Sequence, residues 1–72
     1  MNTIEAQKII DGLLSEVRCE NETLMGRLHH YQINYTRYEE QPVYVESLAK
    51  LERNRKIEHH LSMAALALEV RL

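Results

Sequence analysis

Tryptophan and phenylalanine are absent from this chain, and it has only two glycines, one proline and one cysteine. Each scarcity excludes something. A single cysteine, Cys19, rules out an internal disulfide, and a lone thiol suits a reducing compartment. There is no CxxC pair, no glycine-rich phosphate loop and no nucleophile elbow. Charge of one sign is also missing. Nine basic against eleven acidic residues leave a net charge of −2, which argues against a nucleic-acid binder, since such proteins show a basic excess or stripe. No apolar run reaches the roughly 20 residues that a bilayer-spanning helix needs. The start, "MNTIEAQKIIDGLL", carries Glu5 and Asp11 and lacks a basic flank before an apolar core, so it is not expected to act as a secretory signal.

What the chain has instead is helical spacing. Ile10, Leu14, Val17, Asn21, Leu24, Leu28, Tyr31, Tyr35 and Tyr38 are separated alternately by four and three residues, a coiled-coil seam with one polar interruption. The strong break falls at "EEQPVY". Pro42 suits the first turn of a helix, and Gln41 before it is steered away from helical geometry. The expectation is one all-α domain over residues 1–72, with a helix at 3–38, a turn at 39–42 and a helix at 42–71. Asn2 and Glu5 make a capping-box-like start. The stretch "INYT" at 33–36 is a poor helix former, so the first helix is expected to fray early.

In the second helix the seam reads Tyr44, Leu48, Leu51, Leu61, Ala65 and Leu68, interrupted by the charged run "ERNRKIEHH". Folding at Pro42 gives an antiparallel two-helix hairpin, coiled-coil-like, in which facing residue numbers total about 82. Tyr38 then meets Tyr44, Tyr31 meets Leu51, Val17 meets Ala65 and Leu14 meets Leu68. A tyrosine cluster lies beside the turn and an aliphatic end lies opposite it.

That aliphatic end has more carbon than two helices can cover. Nine of the twelve residues in "LSMAALALEVRL", 61–72, are apolar, whereas a helix on a small core needs one apolar stripe. Ile4, Ile9 and Leu13 on the first helix, and Met63, Leu66, Ala67 and Val70 on the second, fall outside the seam. Gly12, Cys19 and Gly26 recur every seven residues on the side of the first helix away from its seam, at the spacing that lets another helix approach closely. Each large aliphatic contributes about 1.5–3 kcal/mol when fully buried, and contiguous exposed patches mark interfaces. The hairpin is therefore expected to be completed by a partner protein through these ten positions, or by homodimerisation into a four-helix bundle.

Catalysis and metal binding find little to work with. The four histidines form two adjacent pairs, His29–His30 and His59–His60. Neighbours on a helix point about 100° apart, so neither pair chelates as an i, i+4 pair does. Glu58 beside His59 reads as a solvated face. No cofactor is expected, and no enzymatic activity.

The length, the long first helix, the single-proline turn in "QPVYVESLAKLE" and a second helix ending "LSMAALALE" resemble the small helical-hairpin co-chaperones of type III secretion needles. The resemblance implies a cytoplasmic, non-enzymatic bacterial protein associated with virulence. It implies binding to a larger chaperone built of tetratricopeptide-like repeats, which together with the hairpin keeps a needle subunit soluble before export. The alternative is a homodimeric four-helix-bundle regulator that binds RNA or a host protein. RNA binding would need a basic outer stripe from Lys50, Arg53, Arg55 and Lys56, among which Glu46, Glu52 and Glu58 are interleaved.

Overall fold

The computed structural model describes residues 3–70, and the side chains of residues 3–69. The expected Asn2 cap and the end of the second helix at 71 lie outside the described residues. Two long helices, α1 (Thr3–Asn34) and α2 (Pro42–Val70), run antiparallel and pack along their length. The result is an all-α helical hairpin, a rod of 52 × 16 × 15 Å.

The link between the helices is longer than the spacing suggested. α1 stops at Asn34, four residues short of the expected 38, where β-branched, aromatic and amide side chains replace good helix formers. Asn34 ends the helix chemically as well as sterically. Its side-chain amide donates back to the carbonyl of His30 at 2.8 Å, the local side-chain-to-backbone bond by which asparagine competes with continued helix. No described residue adopts a positive φ, so the exit needs no left-handed cap. A single 3-10 turn, Tyr38–Glu40, follows. Gln41 is extended at φ −74°, ψ 128°, as a residue before proline should be, and its N–H donates to the Tyr38 carbonyl at 3.1 Å. Pro42 opens α2, and the Gln41 carbonyl accepts the N–H of Val45 at 3.0 Å.

This earlier exit corrects the expected register. Across the helices Arg18 and Asn21 reach Glu58, Glu20 reaches Asn54 and Lys50, and Arg27 reaches Ser47. These partners total between 70 and 79, about one heptad below the expected 82. Carried down the rod, the observed register sets Leu14 level with Leu61 rather than Leu68, and Val17 level with Glu58 rather than Ala65. It leaves the open ends of the two helices nearly flush.

The seam of α2 is also corrected. Tyr44, Ser47, Leu51 and Asn54 are buried and Glu58, Leu61, Ala65 and Leu68 are half-buried or close to it, a run spaced by three and four without a gap. Leu48, assigned to the seam from its apolarity, is 38 % exposed, and Ser47 takes its place. The charged run does not interrupt the stripe, because Asn54 and Glu58 continue it as polar members. On α1, Ile10, Leu14, Val17, Leu24, Leu28 and Tyr31 line the seam, and Asn21 is buried among them. Tyr35, also assigned to the seam, is exposed. It lies beyond the helix and stacks on Tyr31, with ring centroids 4.6 Å apart.

The core is short. Leu24, Leu28, Tyr44 and Leu51 form its buried cluster, with Tyr31 and Tyr38 packed against it. Tyr38 meets Tyr44 edge to face at 5.0 Å, and Gln32 donates to the Tyr44 hydroxyl at 3.3 Å, so the turn end is closed by aromatic rings. Leu51, 3 % exposed, is the most enclosed of these apolar residues. Leu51→Ala should destabilise the hairpin by about 2–5 kcal/mol, a large share of what so small a domain possesses, while Leu48→Ala should change stability by less than about 0.5 kcal/mol. Urea titrations followed by far-UV circular dichroism check this, and equal effects at the two sites would contradict the seam described.

Candidate interaction surface

Halfway along the rod the leucine seam gives way to a polar layer. Asn21 on α1 and Asn54 on α2 are 5 % and 8 % exposed. Each is held by a glutamate from the other helix. The Asn21 amide donates to Glu58 Oε2 at 3.3 Å, and the Asn54 amide donates to Glu20 Oε1 at 2.7 Å. A cation completes each half: Arg18 Nε at 3.2 Å from Glu58 Oε1, and Lys50 Nζ at 3.4 Å from Glu20 Oε1. Glu58 is thus a seam member and not the solvated residue expected of it. The Asn21 Oδ1 atom is buried without a protein partner. The Asn54 amide, and behind it Lys50, hold the Glu20 carboxyl below the ordinary glutamate range, with burial opposing them.

The salt bridges identify the two flanks of the hairpin. Glu20, Arg27, Val43 and Lys50 lie on one, around a shallow groove that also touches Leu24, Glu46 and Ser47. Arg18, Glu22, Met25 and Arg55 lie on the other. Steps of seven residues extend each flank along a helix pair. The Glu20 flank gains Leu13 and Ala6 on α1 and Ile57 and Ala64 on α2. The Arg18 flank gains Asp11 and Ile4 on α1 and Ser62 and Glu69 on α2.

The expected partner-binding positions are distributed over these surfaces and do not form one face. Ile4, Ile9, Gly12, Leu13, Cys19, Gly26, Met63, Leu66 and Ala67 are all exposed, and the side chain of Val70 lies outside the described residues. Ile9 and Leu13 share the Glu20 flank. Ile4 is on the Arg18 flank among charges. Gly12, Cys19 and Gly26 run along the outer spine of α1, farthest from α2. Met63, Leu66 and Ala67, spaced by three and four, form an apolar stripe on the outer side of α2. Ile57, 46 % exposed on the Glu20 flank, was hidden from sequence reading by the charges around it, although it lies seven residues from Lys50 and Ala64.

Among the described residues, five large apolar side chains are buried, and twelve are exposed. The accessible surface is 5600 Å², whereas a compact folded monomer of 8.5 kDa shows about 4,700 Å². The excess of about 900 Å² follows from the elongated shape of the two-helix rod. Both glycines have open space where a Cβ would stand, so neither is needed for packing inside the hairpin. Cys19 is exposed with its sulfur free. The histidines are all exposed, and no group of three or more His, Cys, Asp or Glu among the described residues is placed to hold a metal ion. Among those residues no helix is long and apolar enough to cross a membrane. No family model matches the chain, and no curated protein or solved structure matches it.

Two outcomes test this surface. Gly12→Ala and Gly26→Ala should each stabilise the isolated chain by about 0.5–1 kcal/mol, read as a rise of several degrees in thermal midpoint, since the helix gains propensity and nothing clashes. The Glu20 contact has a definite pH sign. Its folded pKa is depressed, so its contribution is present at neutral pH and lost as pH falls through the ordinary glutamate range and below. Urea midpoints measured from about pH 7 down to about pH 3 should therefore fall on acidification, and Asn54→Ala should flatten that fall. An unchanged acid slope in Asn54→Ala would show that the pair does not carry it.

Proposed function

We propose that this chain is a non-enzymatic interaction protein, a helical-hairpin co-chaperone. In this reading it binds and stabilises a larger chaperone of tetratricopeptide-like helical repeats, which holds a type III secretion needle subunit soluble before export. The observation that carries the interaction role is the surface: large apolar side chains are displayed outward in greater number than the core encloses. The kind of partner rests on the resemblance of "QPVYVESLAKLE" and "LSMAALALE" to that group of proteins.

The stripe formed by Met63, Leu66 and Ala67 is the part of the surface best suited to a groove between repeat helices. It lies on the outer side of α2, and residues at i, i+3 and i+4 are the anchors such grooves take. A preformed hairpin presents these anchors without ordering first, which lowers the entropic cost of association. The RNA-binding alternative draws less support. Arg55 is on the Arg18 flank, whereas Arg53, three residues from Lys50, is on the Glu20 flank, and Lys50 is neutralised by Glu20. The basic residues therefore split between two sides and do not form one stripe.

Met63 and Leu66 are 54 % and 52 % exposed, so substituting them leaves the hairpin intact. Met63→Asp or Leu66→Asp should weaken binding to the larger chaperone by at least about 30-fold, because each buries an unpaired charge in an apolar contact. Arg55→Glu should leave it within about threefold. Calorimetric titration of a repeat chaperone co-purified with the chain measures this. The opposite ranking, with weakened RNA binding in Arg55→Glu and no loss in Leu66→Asp, would replace the reading.

A further inference from the structure

The Glu20 flank is a different surface from the outer stripe of α2, and its composition specifies its own occupant. We propose that a second copy of this chain covers the Glu20 flank, forming a four-helix bundle whose two-fold axis runs parallel to the rod. This inference is independent of the co-chaperone reading, since it concerns the chain alone.

Three features of the flank point to self-association in that one orientation. First, its open end is apolar on both helices. Ala6 and Leu13 lie on α1, Ile57 and Ala64 on α2, and Ile9, four residues before Leu13, extends the patch. Leu13 and Ile57 are 43 % and 46 % exposed. His60, seven residues after Arg53, stands among them, but no carboxylate, lysine or arginine of either helix interrupts these five residues, whereas Ile4 on the other flank is followed by Lys8, Asp11 and Arg18.

Second, above the apolar patch the two helices carry opposite charges at corresponding heights. α1 presents Glu16 and Glu20, and α2 presents Lys50 and Arg53. Glu20 and Lys50 already reach each other within the chain at 3.4 Å. Glu16 and Arg53 stand in nearly the same axial relation, four residues before Glu20 and three after Lys50. Nearer the turn the signs reverse together, with Arg27 on α1 and Glu46 on α2, which line the same groove. A two-fold axis parallel to the rod lays α1 of one copy against α2 of the other at equal height. Arg53 of one copy then lies within about a turn of Glu20 of the other and Glu46 within about a turn of Arg27, Glu16 faces Arg53 across about the axial offset that Glu20 and Lys50 already bridge within the chain, and Leu13 lies beside the stretch from Ile57 to Ala64. A two-fold axis lying in the interface but perpendicular to the rod would instead set Leu13 and Ile57 of one copy on Arg27 and Glu46 of the other, burying charge against carbon.

Third, the area suffices only when the rods lie side by side. The outline of the rod, 52 × 16 Å, gives a flank long enough to supply the ~800 Å² that each partner gives to a standard interface. Contact through the open ends alone would bury about half of that. Side-by-side packing also makes all neighbouring helices antiparallel, the arrangement of an ordinary four-helix bundle.

The test uses the full chain by itself. Sedimentation equilibrium over about 1–200 µM should show dimer forming from monomer, since interfaces of standard size associate at micromolar concentrations or below. Leu13→Glu or Ile57→Glu should weaken dimerisation at least tenfold with helix content unchanged, because both residues are exposed in the monomer. Leu66→Glu, on the outer side of α2, should leave dimerisation intact. The decisive arm is a mixture. Glu16→Arg alone, or Arg53→Glu alone, places like charges across the interface twice and should weaken its homodimer. In a mixed pair of the two variants, each contact between position 16 of one chain and position 53 of the other again joins opposite charges. A heterodimer of wild-type strength should therefore form. No change within one chain can produce that rescue. A strict monomer at the highest concentration, a dimer indifferent to Leu13→Glu and Ile57→Glu, or a mixture that fails to associate better than its components would each overturn the proposal.

Discussion

The polar layer formed by Asn21, Asn54, Glu20 and Glu58 governs the arrangement of everything else in this rod. A two-helix seam of leucines alone would tolerate sliding by a heptad, since carbon packs on carbon in either position. Two buried amides do not tolerate it. In the register with partners near 75, the asparagines lie at one level and each finds a carboxylate on the opposite helix. Moved by seven residues, Asn21 would face Leu61 and Asn54 would face Leu28. Each would lose its carboxylate partner inside an apolar seam, at about 1–3 kcal/mol apiece. The layer contributes little net stability in place, because hydrogen bonds formed here replace hydrogen bonds to water. Its effect is to make the alternatives worse, the use of a buried asparagine that is best attested in coiled coils.

That register has consequences at both ends. Near the turn it brings Leu24, Leu28, Tyr44 and Leu51 into one buried cluster and closes it with Tyr31 and Tyr38. At the open end it makes the helices flush, so neither extends past the other to fold back over the aliphatic residues. Ile4, Ile9, Leu13, Met63 and Leu66 lie off the two-helix seam and are left in water. The hairpin thus has a closed, aromatic end that stabilises it and an open, aliphatic end that is available to other chains. A domain this small buries a modest fraction of its surface under any arrangement, and completion by further helices is the usual physical remedy.

The exposed carbon is sorted. The outer side of α2 is a narrow stripe, suited to insertion between helices of a larger partner. The Glu20 flank is broad, spans both helices, and alternates in sign in a way that matches its own image. The glycine and cysteine spine of α1 is open and unpacked. These surfaces point in different directions from one rod, so occupation of one does not block the others.

Much of this was legible in the residues. The three-and-four spacing of α1, the proline that opens α2 and the excess of aliphatic residues at the chain's end are local properties. They follow from helix geometry, from the fixed φ of proline and from counting carbon against one stripe. Apolarity by itself misled in α2. It favoured Leu48 over Ser47 and treated Asn54 and Glu58 as surface, because a polar residue declares its burial only through a partner on another helix. Ile57 was concealed for the same reason, by charged neighbours that turn to other sides. The end of α1 falls at Asn34, whose side chain bonds back to the His30 carbonyl, a local competition that propensity signals as weakness without locating it. The sequence by itself thus determined two amphipathic helices, their direction and their surplus of apolar surface. The register, the polar layer and the division of that surplus into separate faces were decided only when the helices packed, because each depends on which side chains of α2 stand opposite those of α1.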